Sequence, residues 1–238
     1  MKIKTFIQRH PLAGYFSGVF LISWGSGSLL ILPKIVRGEA VDPMDGLFLF
    51  PLMVIGVSLV GVICTGIVDG KRGLRDLASR MRRWRVGVQW YGAAILIPPV
   101  LILAVLITLK SLVSINFAPN FFILGLLFGL VPGFFEEIGW TGYAFPRMLP
   151  GRGPLAASLL LGILWGLWHL PVVDSLGAAT PHGKYWLPFF ISFVALLTAM
   201  RVLIAWIYSN TRSVLLAQLM HASSTGFLVV LGPAHVSP

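Results

Sequence analysis

The chain is short of the residues on which secreted scaffolds and soluble catalysts depend. It has one cysteine, Cys64, inside an apolar run, so no intrachain disulfide can form and the redox compartment is left open. Aspartate and glutamate number 8 against 18 lysines and arginines, and all charged residues make up 11% of the chain, below the roughly 25% of a soluble domain. No Gly-x-Ser-x-Gly and no His-Glu-x-x-His occurs, which removes the serine-hydrolase elbow and the conventional zinc-protease helix. Internal repeats and low-complexity tracts are missing as well.

What is present is apolar sequence in long runs. They fall at about 12–33, 46–68, 88–109, 119–146, 153–176, 186–208 and 212–232, and predict an all-α, polytopic transmembrane bundle of about seven spans. Basic residues precede a long apolar run within Met1 to Pro33, as in a signal peptide. That run is too long for a cleaved one and further spans follow, so a retained first helix is expected.

The basic excess sits at the ends of the runs and therefore speaks of membrane topology and anionic headgroups, not of nucleic acid. With the N-terminus inside, the inner segments hold 13 lysines and arginines and the outer loops only Lys34, Arg37, Lys110 and Lys184. This asymmetry predicts a cytoplasmic N-terminus and an outer C-terminus, in what reads as a bacterial plasma membrane. Between the second and third spans, at about 72–85, Leu74, Leu77, Ala78, Met81 and Trp84 recur at helical spacing among arginines. An interfacial amphipathic helix resting on membrane lipids is expected there.

Against this background a few ionisable residues lie deep within the runs: Glu136, Glu137, His169, Arg201 and His221. Charges at such depth are costly and mark a functional site by default. At a rise of about 1.5 Å per residue, Glu136, Arg201 and His221 lie roughly 14–16 Å from the cytoplasmic ends of their spans, and His169 roughly 24 Å. Four helices can thus bring them to one layer. Small residues repeat every fourth position at Gly125, Gly129 and Gly133, and again at Gly162 and Gly166, so helices should pack closely along those stripes.

The chemistry open to this set is specific. A carboxylate kept ionised by a nearby cation can take a proton from water. A histidine beside it can position that water, and a second histidine, with the Thr225 hydroxyl one turn on, can donate to a developing oxyanion. Glu136, His169 and His221 could also ligate a divalent metal such as zinc. Spacing leaves both forms open. A proton or cation site of a transporter is the competing class, and the chain lacks the inverted repeat or paired broken helices that would support it. Trp165 reads as packing or a cavity wall, and Trp140 and Tyr143 fit an interfacial belt as well as a site.

Three segments in order resemble the motifs of the CAAX-protease and bacteriocin-processing family (CPBP, or Abi), intramembrane type II CAAX-prenyl endopeptidases. They are Glu136-Glu137-Ile-Gly-Trp140-Thr141, then Trp165-x-x-x-His169, then His221-x-x-x-Thr225. The resemblance divides the chain into N-terminal membrane helices, 1–118, and a catalytic core, 119–238. It implies an endopeptidase, in a family often labelled metalloprotease, acting on a hydrophobic or lipidated peptide. In it Glu136 activates water with help from His169, His221 stabilises the oxyanion and Glu137 orients the site. Two positions depart from the family pattern. Thr225 stands where asparagine is common, and Thr141 stands where the pattern has arginine. Loss of that arginine is the feature that favours a non-catalytic immunity or scaffold relative. Arg201, at matching depth, is the expected substitute charge partner of Glu137, ahead of Arg147 near the surface.

Overall fold

The computed structural model describes residues 2–39, 43–175 and 183–233, and every regular element among them is helical. A short amphipathic helix α1 (Lys2–Arg9) leads into α2 (Pro11–Val36), whose first residue is a proline that needs no intrahelical donor. Then come α3 (Pro43–Val68), α4 (Gly70–Met81) and α5 (Val88–Leu112). The fourth apolar run forms α6 (Gly125–Gly139), a π-helical turn (Trp140–Ala144) and α7 (Phe145–Met148) without a break. The fifth forms α8 (Gly153–Trp168) and α9 (Leu170–Ser175), and α10 (Trp186–Thr211) and α11 (Val214–Leu231) complete the bundle.

All seven apolar runs therefore carry helix, and among the described residues five helices are long and apolar enough to cross a membrane. The fourth and fifth are shorter than expected. Helix α6 begins at Gly125, not near residue 119, because Phe121 takes a left-handed backbone (φ 57°) and the chain before it is irregular. The fifth run breaks after Trp168 at His169. Both interruptions fall in the runs that carry the deep glutamates and His169.

The basic segment also ends early. Helix α4 stops at Met81, so Trp84 lies beyond it and is 60% exposed. Leu77 is the residue that α4 buries, facing Gly142 of the π-helical turn.

Packing follows the small-residue stripes. A Cβ on Gly133 would come within 2.7 Å of the Ala222 nitrogen, and one on Gly125 within 2.7 Å of the Val230 nitrogen, so α6 lies backbone to backbone against α11. Gly162 and Gly166 bring α8 equally close to Thr198 and Val194 of α10. On the other side, Gly61 of α3 touches Gly139 of α6. The buried core between these pairs is unusually aromatic, with Tyr15, Trp140, Tyr143, Phe145, Trp165 and Trp168 all in one cluster.

Candidate active site

The two close helix pairs decide where the deep polar residues meet. Because glycines let α6 approach the backbone of α11 closely, Glu137 reaches His221 directly, with Nδ1 2.8 Å from Oε1. Because α8 nests against α10, Trp165 and Arg201 share one layer, the guanidinium 4.4 Å from the indole centre.

Glu137 is fully engaged. Arg201 donates to it with two nitrogens, Nη1 to Oε2 at 2.8 Å and Nη2 to Oε1 at 2.9 Å, a fork that matches the carboxylate. The Thr141 hydroxyl donates to the same Oε2 and itself receives Arg201 Nη1 at 3.3 Å. Thus the cation missing from position 141 arrives from α10, and the threonine left there ties the pair together. Arg147 is occupied elsewhere: it pairs with Asp69 and lies 3.8 Å from the Tyr143 ring centre.

Glu136 is held differently. Both of its donors are indoles, Trp165 Nε1 at 2.7 Å and Trp140 Nε1 at 3.1 Å, and both fall on Oε2. Among the described residues none donates to Oε1, although the residue is 1% exposed. Among the described residues no arginine or lysine forms an ion pair with this carboxylate. The neighbouring glutamates therefore have unlike surroundings: one locked by charge, one aimed by two neutral donors.

His169 sits at the break between α8 and α9, half-buried among the rings of Trp165, Trp168 and Phe193. Its Nδ1 lies 2.8 Å from the Trp165 carbonyl, which can only accept, so Nδ1 carries the proton and Nε2 is left as the free nitrogen. The same reasoning applies to His221. With Nδ1 donating to Glu137, Nε2 bears a hydrogen only when the ring is charged. Trp165 links all of these groups, since its indole holds Glu136, its carbonyl holds His169 and its ring faces His221 at 5.0 Å.

Thr225, one turn beyond His221, is half-buried and makes no hydrogen bond among the described residues. Among the described residues no three His, Cys, Asp or Glu side chains are close enough to hold an ion. Oε2 of Glu136 is taken by indoles, and His169 and His221 turn Nδ1 to a carbonyl and to Glu137, so Oε1 and the two Nε2 atoms are what these residues have left to offer water or an ion.

Sequence reasoning missed the two indole donors. Trp140 is not at an interface but fully buried, one turn after Glu136 on the same face, a spacing that could have suggested the contact. Tyr143, also fully buried, packs on Tyr15 at 5.0 Å between centres. The first helices contribute as well: Trp168 donates to Ser23 at 2.8 Å and Trp24 to the Trp168 carbonyl at 3.2 Å, which fixes the end of α8 beside His169.

Residues 118–227 match the family described as type II CAAX prenyl endopeptidase Rce1-like. The chain is also 31% identical over 141 residues to the CAAX prenyl protease 2 of Methanococcus maripaludis, an alignment covering 53% of this chain and 51% of that protein. The chain thus matches about half the length of this curated relative. The likeness carried by three short motifs extends over the whole stretch of helices that bears them, residues 118–227, and that stretch is similar to the Rce1-like type II CAAX prenyl endopeptidases.

Proposed function

We propose that the protein is an intramembrane endopeptidase that hydrolyses a peptide bond in a hydrophobic, membrane-associated peptide, with a prenylated tail as the substrate its relatives' names suggest. The observation that carries the reading is the contrast between the two carboxylates. Glu137 has no acceptor capacity to spare, whereas Glu136 is aimed by two indoles and its Oε1 meets no donor among the described residues.

In this reading Glu136 takes a proton from water, with His169 Nε2 orienting the same water, and the hydroxyl oxygen bonds to the scissile carbonyl carbon. The carbonyl oxygen becomes an oxyanion, met by the charged form of His221 through Nε2 and by the Thr225 hydroxyl. Collapse breaks the C–N bond, and the proton held on Glu136 passes to the departing amine. Glu137, Arg201 and Thr141 hold His221 in place and touch no reacting atom. No step runs through a metal.

The test is cleavage of prenylated and unmodified membrane peptides by the protein in liposomes, beside Glu136→Ala and His169→Ala. Loss of cleavage in both variants, each still folded, is expected. Cleavage that survives Glu136→Ala, or well-folded wild type that cleaves neither peptide class, overturns the reading.

A further inference from the structure

A second polar site lies away from the carboxylates, where the ends of α3, α4 and α10 meet α7. It is a cavity of about 530 Å³ whose charged lining is Arg80, Arg83, Arg147, Arg212, Asp69 and Asp76. Four guanidinium groups and two carboxylates leave two positive charges in excess. Two of the arginines are committed: Arg147 pairs with Asp69, and Arg80 donates to Asp76 at 2.8 Å and to the Tyr208 hydroxyl at 2.9 Å. Arg83 and Arg212 enter no ion pair among the described residues.

These two are nevertheless held in place. Ser213 donates from its hydroxyl to the Arg83 carbonyl at 2.6 Å, and the Arg212 nitrogen donates to the Tyr208 carbonyl at 2.7 Å. Arg212 also takes a left-handed backbone, φ 54°, which is uncommon and costly for a residue with a Cβ. The αL turn between α10 and α11 thereby places its side chain in the lining of the cavity. Two free guanidinium forks on a fixed backbone suit the oxygens of a phosphate group.

We propose that this cavity binds phosphate, supplied by the headgroup of an anionic lipid. The lipid source follows from location. The cavity belongs to the end of the bundle where the basic residues concentrate, beside the amphipathic helix α4, and such a face attracts anionic headgroups. The site needs neither the glutamates nor the histidines, so it stands whether or not the chain is a protease.

The experiment is binding of short-chain phosphatidylglycerol to the full chain in detergent, with inorganic phosphate as competitor. Arg83→Gln with Arg212→Gln is expected to weaken binding about tenfold or more, through loss of two charge-assisted contacts. Arg72→Gln with Arg75→Gln removes the same charge from the exposed side of α4 and is expected to change little. Arg83→Gln alone leaves the αL turn untouched, so it decides the matter should the double variant fail to fold. Failure of inorganic phosphate to compete supports the lipid source, and competition at equal concentration assigns the site to free phosphate instead. Non-saturable binding, or equal weakening by both double variants, makes the cavity no more than part of a diffuse basic surface and overturns the proposal.

Discussion

Glu136 and Glu137 are adjacent in the chain yet differ in every partner, and that difference makes substitutions informative. Glu136→Gln keeps a carbonyl oxygen for the Trp140 and Trp165 indoles but can no longer take a proton. Peptide cleavage is expected to fall by about 10²–10⁴-fold with the melting temperature nearly unchanged. Arg201→Met acts in the opposite manner. It leaves Glu137 buried with His221 and Thr141 as its remaining partners, and breaking a buried pair on one side costs about 3–5 kcal/mol. A large drop in melting temperature is expected, and a variant as stable and active as wild type would show that Arg201 is not the charge partner. Adding Thr141→Arg to Arg201→Met returns a cation one turn from Glu137, at the position where the family pattern has one. Part of the lost stability should come back.

At the level of elements, two glycine stripes matter more than any single contact, because they let helices approach until buried charges touch. Gly133→Ala would set a methyl 2.7 Å from the Ala222 nitrogen, which is backbone and cannot yield. Forcing α6 from α11 should cost about 1–3 kcal/mol and separate Glu137 from His221, so stability and cleavage fall together. Gly92→Ala in α5 meets nothing within 4 Å and is the matched control. There the substitution should be neutral or stabilising by up to about 1 kcal/mol. The stripes were readable because close packing needs small residues at a helical period. Arg201 was readable because a deep, unpaired arginine is too costly to leave unexplained. The π-helical turn was not. Trp140-Thr141-Gly142-Tyr143-Ala144 carries the same apolar pattern as an α-helix, and nothing in that pattern signals the one-residue widening, where Leu77 packs against Gly142. For the same reason Trp140 fitted an interfacial belt as well as a site, since nothing local says whether an indole finds water or a carboxylate.

For the molecule as a whole, the apolar runs were legible because a bilayer demands length and apolarity, and each of them carries helix, although among the described residues five helices, not seven, are long and apolar enough to span. Their interruptions were not, because a chain may leave regular helix inside a bundle where neighbouring helices satisfy its backbone, and His169 stands at such a place. Orientation rests on charge alone, and labelling from either side of the membrane tests it. In a Cys64→Ala background, Arg72→Cys and Lys110→Cys place single thiols on exposed positions at opposite ends of the bundle. A membrane-impermeant maleimide should label position 72 only after cells are opened and position 110 in intact cells. The reverse pattern would turn the molecule over. It would also set the arginine cavity on the outer leaflet, where no negative inner-surface potential draws anionic headgroups, and so remove the reason for preferring lipid over free phosphate as its ligand.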